Sequence, residues 1–594
     1  MENLLLAVVL GAMALVPLCE IVLRATLGVG ISGAASFTQH FVLAAGMLGA
    51  AIAAREGRLI ALVVPGTQAT GPVAARTRAL AGVVAVVVTA LLFAASIDFV
   101  LAERAGGSVI AYGIPVWAGQ AVLPLGYALI GLRLARAAAP GWPARVALIA
   151  LALAVGAAAV LGAPLHGALA AAAIGLVLAA ALLGAPVYAA IGGVALLLFW
   201  SDGLPIASLP LDHYRLVVNP SLPMIPLFAL AGYFLAEGGA PRRLIRVFDA
   251  FFGASRGGAA LVTVLACAFF TSFSGASGVT IVALGGMLMP LLLRAGYAHR
   301  SALGLLAASG SIGGLLPPGL PLVLYAIVAR IPIRDMFLAG ILPALLMLAL
   351  VGAWGMRRAP RTHVARPPID WREARAALLD AKWELALPPV AFLGLFTGLA
   401  TPVEAAALTA AYAFVVEVFI TRDLGLRRDV PRVMAECGLL VGGILLILGV
   451  ALGLSNYLVD ARVPERAADW AAGALGSRWM FLLALNLCLL AAGCLLDMFS
   501  AIVVLVPLVL PIGLAFGVDP IHLGIVFLVN LELGYLTPPV GMNLYFTASR
   551  FGRPLPEVLR AALPAAGVFA LGVLLVTALP WLATGLPRLF GSQS

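Results

Sequence analysis

The chain has 594 residues, of which 63% are hydrophobic and only 10% charged, and its mean hydropathy is +1.11. A soluble protein carries roughly 25% charged residues, so a soluble fold is excluded and an all-α polytopic membrane protein is expected; the alternating segments of about ten residues that build a membrane β-barrel are not seen. The net charge of +10 is almost all arginine, with Lys382 the single lysine, and the arginines fall between apolar segments rather than on a nucleic-acid-binding face.

Four apolar segments open the chain, at about 3–27, 31–54, 81–102 and 112–137, each near the roughly 20 residues that cross a bilayer. The first lacks a basic leader and a small-residue cleavage site, so it is expected to be a retained helix. Arg55, Arg58, Arg76 and Arg78 follow the second segment and Arg133, Arg136 and Arg145 the fourth, while the other two connections carry Arg24 and Arg104. That asymmetry predicts a cytoplasmic N-terminus. Gln39 and His40 read as a helix-packing pair rather than a proton site, and Arg55-Glu56-Gly57-Arg58 as a stop at the membrane interface. The linker at 138–143 and a featureless apolar helix at about 146–163 then join a four-helix module, residues 1–140, to the long remainder, 165–594. The joining segment, 141–164, is expected to be purely topological.

Beyond Leu165 the apolar segments are interrupted more often. A loop from Ser201 to Pro223 holds Asp202, Asp212, His213, Tyr214, Arg215 and Asn219. No two of these sit at a metal or triad spacing, so they are expected to be solvated or interfacial. The stretch Ser272–Tyr325 is apolar enough for membrane interior yet broken twice, at Ser272–Gly278 and again from Ser309 to Gly314, closing on Pro317-Pro318. Unwound backbone in a bilayer is tolerated only where protein covers it or a bound species fills it, so a broken apolar helix predicts a binding site. The charged run at 357–384, which includes Arg361 and Arg366, predicts a cytoplasmic connection with a surface helix. Glu404, after Thr401-Pro402, reads as a packed helix-end carboxylate.

The second half repeats the pattern. A hairpin is predicted at Gly493–Ala501 and a broken helix at Asn530–Asn543. At a constant offset of 221 residues Pro290 meets Pro511, Gly313 meets Gly534, and Pro317-Pro318 meets Pro538-Pro539. Two repeats are therefore expected, at about 220–356 and 440–584, most simply inverted across the membrane. Corresponding breaks in two halves are the sequence mark of a transporter site.

A hard cation such as Na⁺ prefers oxygen ligands, and a helix ending in the membrane offers carbonyls while one starting there offers amides. Ser274, Ser277 and Thr280 can add hydroxyl oxygens to a first site; Asp497, Ser500, Thr537 and Asn543 can do so at a second. Asp497 is the most telling, because a carboxylate in an apolar run is costly and is usually functional. Glu532 is a weaker candidate, since the neighbouring unwound helix would expose it to water. The five cysteines, Cys19, Cys267, Cys437, Cys488 and Cys494, read as small buried hydrophobes. No GxxxxGK[ST] loop is present, which disfavours an ATP-driven pump, and the six histidines do not pair at ligand spacing, which disfavours a membrane enzyme or redox subunit.

The motifs SFSGASGVT, ASGSIGGLLPPGLPLVLYAI, DMFLAGILP, TPVEAAALTAAYA, GVDPIHLGIVFLVNLELGYLTPPVGMNLY and PLPEVLRAALP resemble the large permease subunit of the tripartite ATP-independent periplasmic (TRAP) transporters. Residues 1–140 resemble the small four-helix subunit through the Arg24 helix end and AAIAAREGRLIAL, although Phe37-Thr38-Gln39-His40 stands where that subunit commonly has an aromatic and a pair of acids. The whole resembles a natural fusion of the two. The resemblance implies Na⁺-driven uptake of an organic acid across the bacterial inner membrane. It also implies a periplasmic substrate-binding protein and lipid as partners, no ATPase subunit, and an elevator motion of a transport domain that carries both hairpins. It places cation sites at 274–280 with Gly310, Gly313 and Pro317, and at Asp497–Ser500 with Gly534, Thr537 and Pro538; substrate would meet Ser274, Gly275, Ser277, Pro318, Pro539 and Asn543. A stand-alone Na⁺- or H⁺-coupled anion symporter of the same broad fold and, less readily, a channel are the alternatives.

Overall fold

The computed structural model describes residues 2–61, 72–139, 141–360, 370–396 and 400–590. Pro140 of the expected linker and residues 361–369 of the expected connection, with Arg361 and Arg366, lie outside the described residues. Among the described residues the regular elements are helices, and eleven of them are long and apolar enough to cross a membrane, or twelve when one bent pair is taken as a single span. The residues gather into two compact units. One comprises Met1–Pro226, Met434–Arg466 and Val503–Leu508; the other comprises Leu227–Val433, Ala467–Ile502 and Val509–Ser594.

In the first unit the helices Glu2–Leu27, Ala34–Glu56, Pro72–Gly106 and Val122–Ala138 form the expected four-helix module. A fifth, Trp142–Val160, does more than carry the chain across. It packs along the third and fourth through Leu148 and Ala152 against Val86 and Ala135, and Gly156 lets it approach the backbone of the third at Ala90. Gly49 of the second helix faces the backbone of Gly438 and Gly442 in the helix Asp429–Asp460. This is the small-residue spacing that allows close approach where no hydrophobic effect drives helices together. Gln39 donates to the Val218 carbonyl at 2.8 Å, and His40 Nε2 lies 3.2 Å from the Tyr214 hydroxyl, as a packing pair should. The segment 201–223 corrects the sequence reading. It contains a helix, Ser208–Val217, in which Asp212 and His213 are buried rather than solvated. His213 Nδ1 sits 3.0 Å from the Tyr127 hydroxyl, and Asp202 accepts from Tyr457 at 2.6 Å. Charge and packing partners far along the chain decide this burial, so local polarity misleads.

The second unit holds most of the two repeats, including both hairpin tips and both breaks. The helices starting at Ser277, His299, Leu320 and Ile333 recur at Met498, Pro520, Met542 and Leu555, shifted by 221, 221, 222 and 222 residues. The repeats also pack on one another, His299–Ser309 against Leu555–Ala578 and Ser277–Arg294 against Met542–Phe551. The connection after Arg357 does contain a surface helix, Trp371–Asp380, capped by the Asp370 side chain. It lies on the amphipathic helix Ala240–Phe252 through Ala377 and Val247. Arg246 pairs there with Glu373 and Asp380, and its hydrogen bond holds the Glu373 carboxyl below the usual range. Arg243 lies on the same helix. It binds Glu384, Asp423 at 2.6 Å and Glu417 at 3.4 Å, and the side chains of Glu384 and Glu417 are fully buried. Arg243→Ala strands those two carboxylates, and breaking a buried pair costs about 3–5 kcal/mol. The expected result is a large fall in the unfolding temperature of the purified protein, read by intrinsic fluorescence. Glu404 forms a reciprocal capping box with Thr401, as expected of a helix-end carboxylate. Across the chain, the cysteines are free; Cys19 and Cys488 are exposed on apolar helices rather than buried.

Candidate functional site

All four predicted breaks lie in the second unit. The first hairpin is Gly258–Ser274 and Ser277–Arg294, with arms of 17 and 18 residues. Its tip is Gly275-Ala276. Gly275 has φ +66°, and its Cα faces the Leu320 side chain so closely that a Cβ has no room. Glycine is therefore required there for both conformation and space. The partnering helix ends at Ser309, passes through a 3₁₀ turn, Ile312–Leu315, and resumes at Leu320, bent by 45°. Pro317 and Pro318 close the break; proline cannot continue the helix ladder.

Hairpin and break are tied through Thr271, a side chain the sequence did not single out. Thr271 Oγ1 lies 2.8 Å from both the Gly310 carbonyl and Thr280 Oγ1. The carbonyl can only accept, so Thr271 donates to it. Ser274 Oγ is 3.4 Å from the same Thr280 hydroxyl. Gly313 packs against the Ala268 carbonyl, Thr271 and the Ser272 amide. Ser274, Thr280, Gly310 and Gly313 are thus brought together around Thr271, and Ser277 stands beside them with its carbonyl 3.5 Å from the Cβ position of Gly310. All five are buried, as are Pro317 and Pro318. Thr271→Val keeps the shape but leaves a buried carbonyl and a hydroxyl without their partner, a loss of about 1–3 kcal/mol. The expected result is a lower unfolding temperature than Thr271→Ser, which keeps the hydroxyl.

The second hairpin is Arg478–Gly493 and Met498–Ala515. Asp497 is the N-cap of its second arm: Oδ2 accepts from the Ser500 amide at 3.1 Å and Oδ1 from the Ser500 hydroxyl. The partnering helix, Pro520–Gly534, gives way to an unwound stretch through Pro538-Pro539 before Met542–Phe551 begins. Gly534 lies backbone to backbone against Gly493 and Cys494. The Tyr535 hydroxyl accepts from the Met498 amide at 2.6 Å, and the Gly541 amide donates to the Cys494 carbonyl. Thr537 turns its hydroxyl onto the Gly534 carbonyl at 2.9 Å. Asp497, Ser500 and Gly534 therefore gather at the second tip. Pro538 and Pro539 are exposed, unlike their counterparts Pro317 and Pro318.

Glu532 is placed differently from the sequence reading, and Asn543 has a role the sequence did not show. Asn543 keeps its side-chain oxygen without a hydrogen-bond partner. It is fully buried, and Nδ2 donates to the Ala307 carbonyl at 3.0 Å and to Ser311 Oγ at 2.6 Å, so a residue of the second break caps the first. Glu532 is not exposed by the unwound helix beside it but is completely buried. A buried network supports the second break: Asn530 donates to Asn486 at 2.7 Å, and Asn486 to Thr577 at 3.2 Å. Among the described residues no cluster of three His, Cys, Asp or Glu side chains suits a metal ion. Hydroxyls, carbonyls and single carboxylates suit a hard, weakly held cation rather than a transition metal.

The sequence profile of the tripartite ATP-independent periplasmic transporter DctM component matches residues 174–582, and that of the DctQ component matches residues 13–144. The C4-dicarboxylate TRAP transporter large permease protein DctM of Pseudomonas aeruginosa is 35% identical over 400 residues, covering 67% of this chain and 93% of that protein. Its namesake from Vibrio cholerae is 34% identical over 421 residues, covering 66% of this chain and 92% of that protein. The isethionate TRAP transporter permease protein DctMQ of Oleidesulfovibrio alaskensis is 33% identical over 379 residues, covering 62% of this chain and 59% of that protein.

Proposed function

The chain belongs to the tripartite ATP-independent periplasmic transporter family, as a permease that fuses the DctQ and DctM components, and we propose that it couples inward Na⁺ movement to uptake of a small organic acid. As a permease of that family it is a multi-pass membrane transporter, not an enzyme, and it works with a periplasmic substrate-binding protein. The observation that carries sodium coupling is the pairing of each hairpin tip with a helix break inside one compact unit. Ser274 and Thr280 supply oxygens at the first pair; Asp497 and Ser500 supply them at the second. Such sites match the preference of Na⁺ for oxygen ligands, and helix ends at the breaks supply partial charges of both signs for cation and anion. One compact unit that carries both pairs is also what an elevator motion needs, with the arginine-rich connections and the N-terminus on the cytoplasmic side. Relatives named for C4-dicarboxylate and isethionate support a small organic anion as cargo.

The test is uptake of labelled organic acids by proteoliposomes, with and without the cognate binding protein. Transport that requires the binding protein is expected. Full transport without it would instead identify a stand-alone symporter.

A further inference from the structure

Glu532 has no role in the two sites above, yet its surroundings are the least balanced in the second unit. It lies on the helix Pro520–Gly534 and is 0% exposed. Neither Oε1 nor Oε2 has a hydrogen-bond partner. Oε1 points at the other repeat: it stands 3.0 Å from the place a Cβ would occupy on Gly314, in the 3₁₀ turn of the first break. The repeat offset makes Ser311 the counterpart of Glu532. Ser311 is satisfied, because its hydroxyl accepts from Asn543 across the repeat boundary. Glu532 reaches back across that boundary and meets a residue without a side chain.

An ionised carboxylate with neither donor nor countercharge is very costly in a low-dielectric interior. The surroundings deepen the imbalance, since the helix His299–Ser309 ends just before the turn that Glu532 faces, and a helix C-terminus carries partial negative charge. A carboxylate, a helix C-terminus and a turn of backbone carbonyls together make an oxygen-rich, net-negative site, and the missing side chain at Gly314 leaves room beside it. We propose that Glu532 and the Ile312–Leu315 turn hold a further Na⁺ ion, distinct from those at the hairpin tips, which joins the first break to the second repeat. The proposal rests on the sodium-coupled reading above and extends it: an ion between repeats makes the geometry of one break depend on the other.

The experiment counts ²²Na⁺ bound at saturation to the purified full-length protein, for wild type, Glu532→Gln and Gly314→Ala. Gln keeps the shape of Glu and removes the charge. Ala at position 314 places a methyl group 3.0 Å from Oε1 and crowds the same site from the opposite side, so it carries the test should Glu532→Gln fail to fold. Each variant is expected to bind about one Na⁺ fewer per chain than wild type, with the other ions retained. A wild type that binds Na⁺ and variants with an unchanged count would overturn this proposal alone, as when Glu532 is neutralised by a proton. A wild type that binds no Na⁺ would overturn it together with sodium coupling.

Discussion

Asp497→Asn is expected to fold and insert like wild type while raising the Na⁺ concentration for half-maximal uptake by about tenfold or more, equivalent to about 1.4 kcal/mol of lost cation binding. One side chain here has two separable roles. Asp497 caps the second hairpin arm by accepting from the Ser500 amide and hydroxyl. Asparagine caps a helix about as well as aspartate, so the substitution keeps the turn and removes only the charge. Asp497→Ala removes both, and adds about 1 kcal/mol of destabilisation. A carboxylate that served only as a cap would give the reverse pattern: no change in Na⁺ dependence for asparagine and a stability loss for alanine. Sodium-dependent uptake measured beside thermal unfolding reads the two roles independently.

Gly534→Ala is expected to be strongly disruptive. Its Cβ would stand 2.5 Å from the Gly493 carbonyl carbon, 2.7 Å from the Gly493 Cα and 3.0 Å from the Cys494 amide nitrogen. These are backbone atoms, which cannot swing aside as a flexible side chain does. Ordinary overpacking costs about 1–3 kcal/mol, and this contact belongs at or above the top of that range. Gly313→Ala is expected to behave similarly, because the Ser272 amide nitrogen is 2.8 Å from its Cβ position. Gly567→Ala is the control: nothing lies within 4 Å, and alanine is favoured over glycine in a helix by about 1 kcal/mol. Size-exclusion profiles and unfolding temperatures in detergent should therefore place Gly534→Ala and Gly313→Ala well below wild type and Gly567→Ala at or above it.

The breaks are legible in the sequence because their residues act locally. Gly275, Pro317-Pro318 and Pro538-Pro539 terminate or turn a helix wherever they stand, and a repeat of such residues at one offset announces paired helix ends. Asp497 is legible for a related reason: a carboxylate in an apolar run must have a function or a partner. What the sequence hides depends on partners far along the chain. Thr271 is an ordinary threonine in an apolar helix until Gly310 is brought to it. Asn543 reads only as an oxygen ligand, and nothing near it in sequence shows that its amide nitrogen reaches Ala307 and Ser311. Asp212 and His213 look solvated until the first unit buries them, and nothing next to Arg243 in sequence announces the three acidic residues that converge on it. Glu532 misleads by the same route, since an unwound stretch follows its helix in sequence while its Oε1 faces Gly314 of the first repeat.

The central claim is that the paired breaks couple a sodium gradient to transport. Its most direct test is substrate accumulation in proteoliposomes supplied with the loaded binding protein, under an inward Na⁺ gradient and under matched K⁺ or proton gradients. Accumulation above equilibrium with Na⁺ alone, lost when the gradient is dissipated and weakened by Asp497→Asn, is the predicted result. Equal accumulation under a proton gradient without Na⁺ would contradict it.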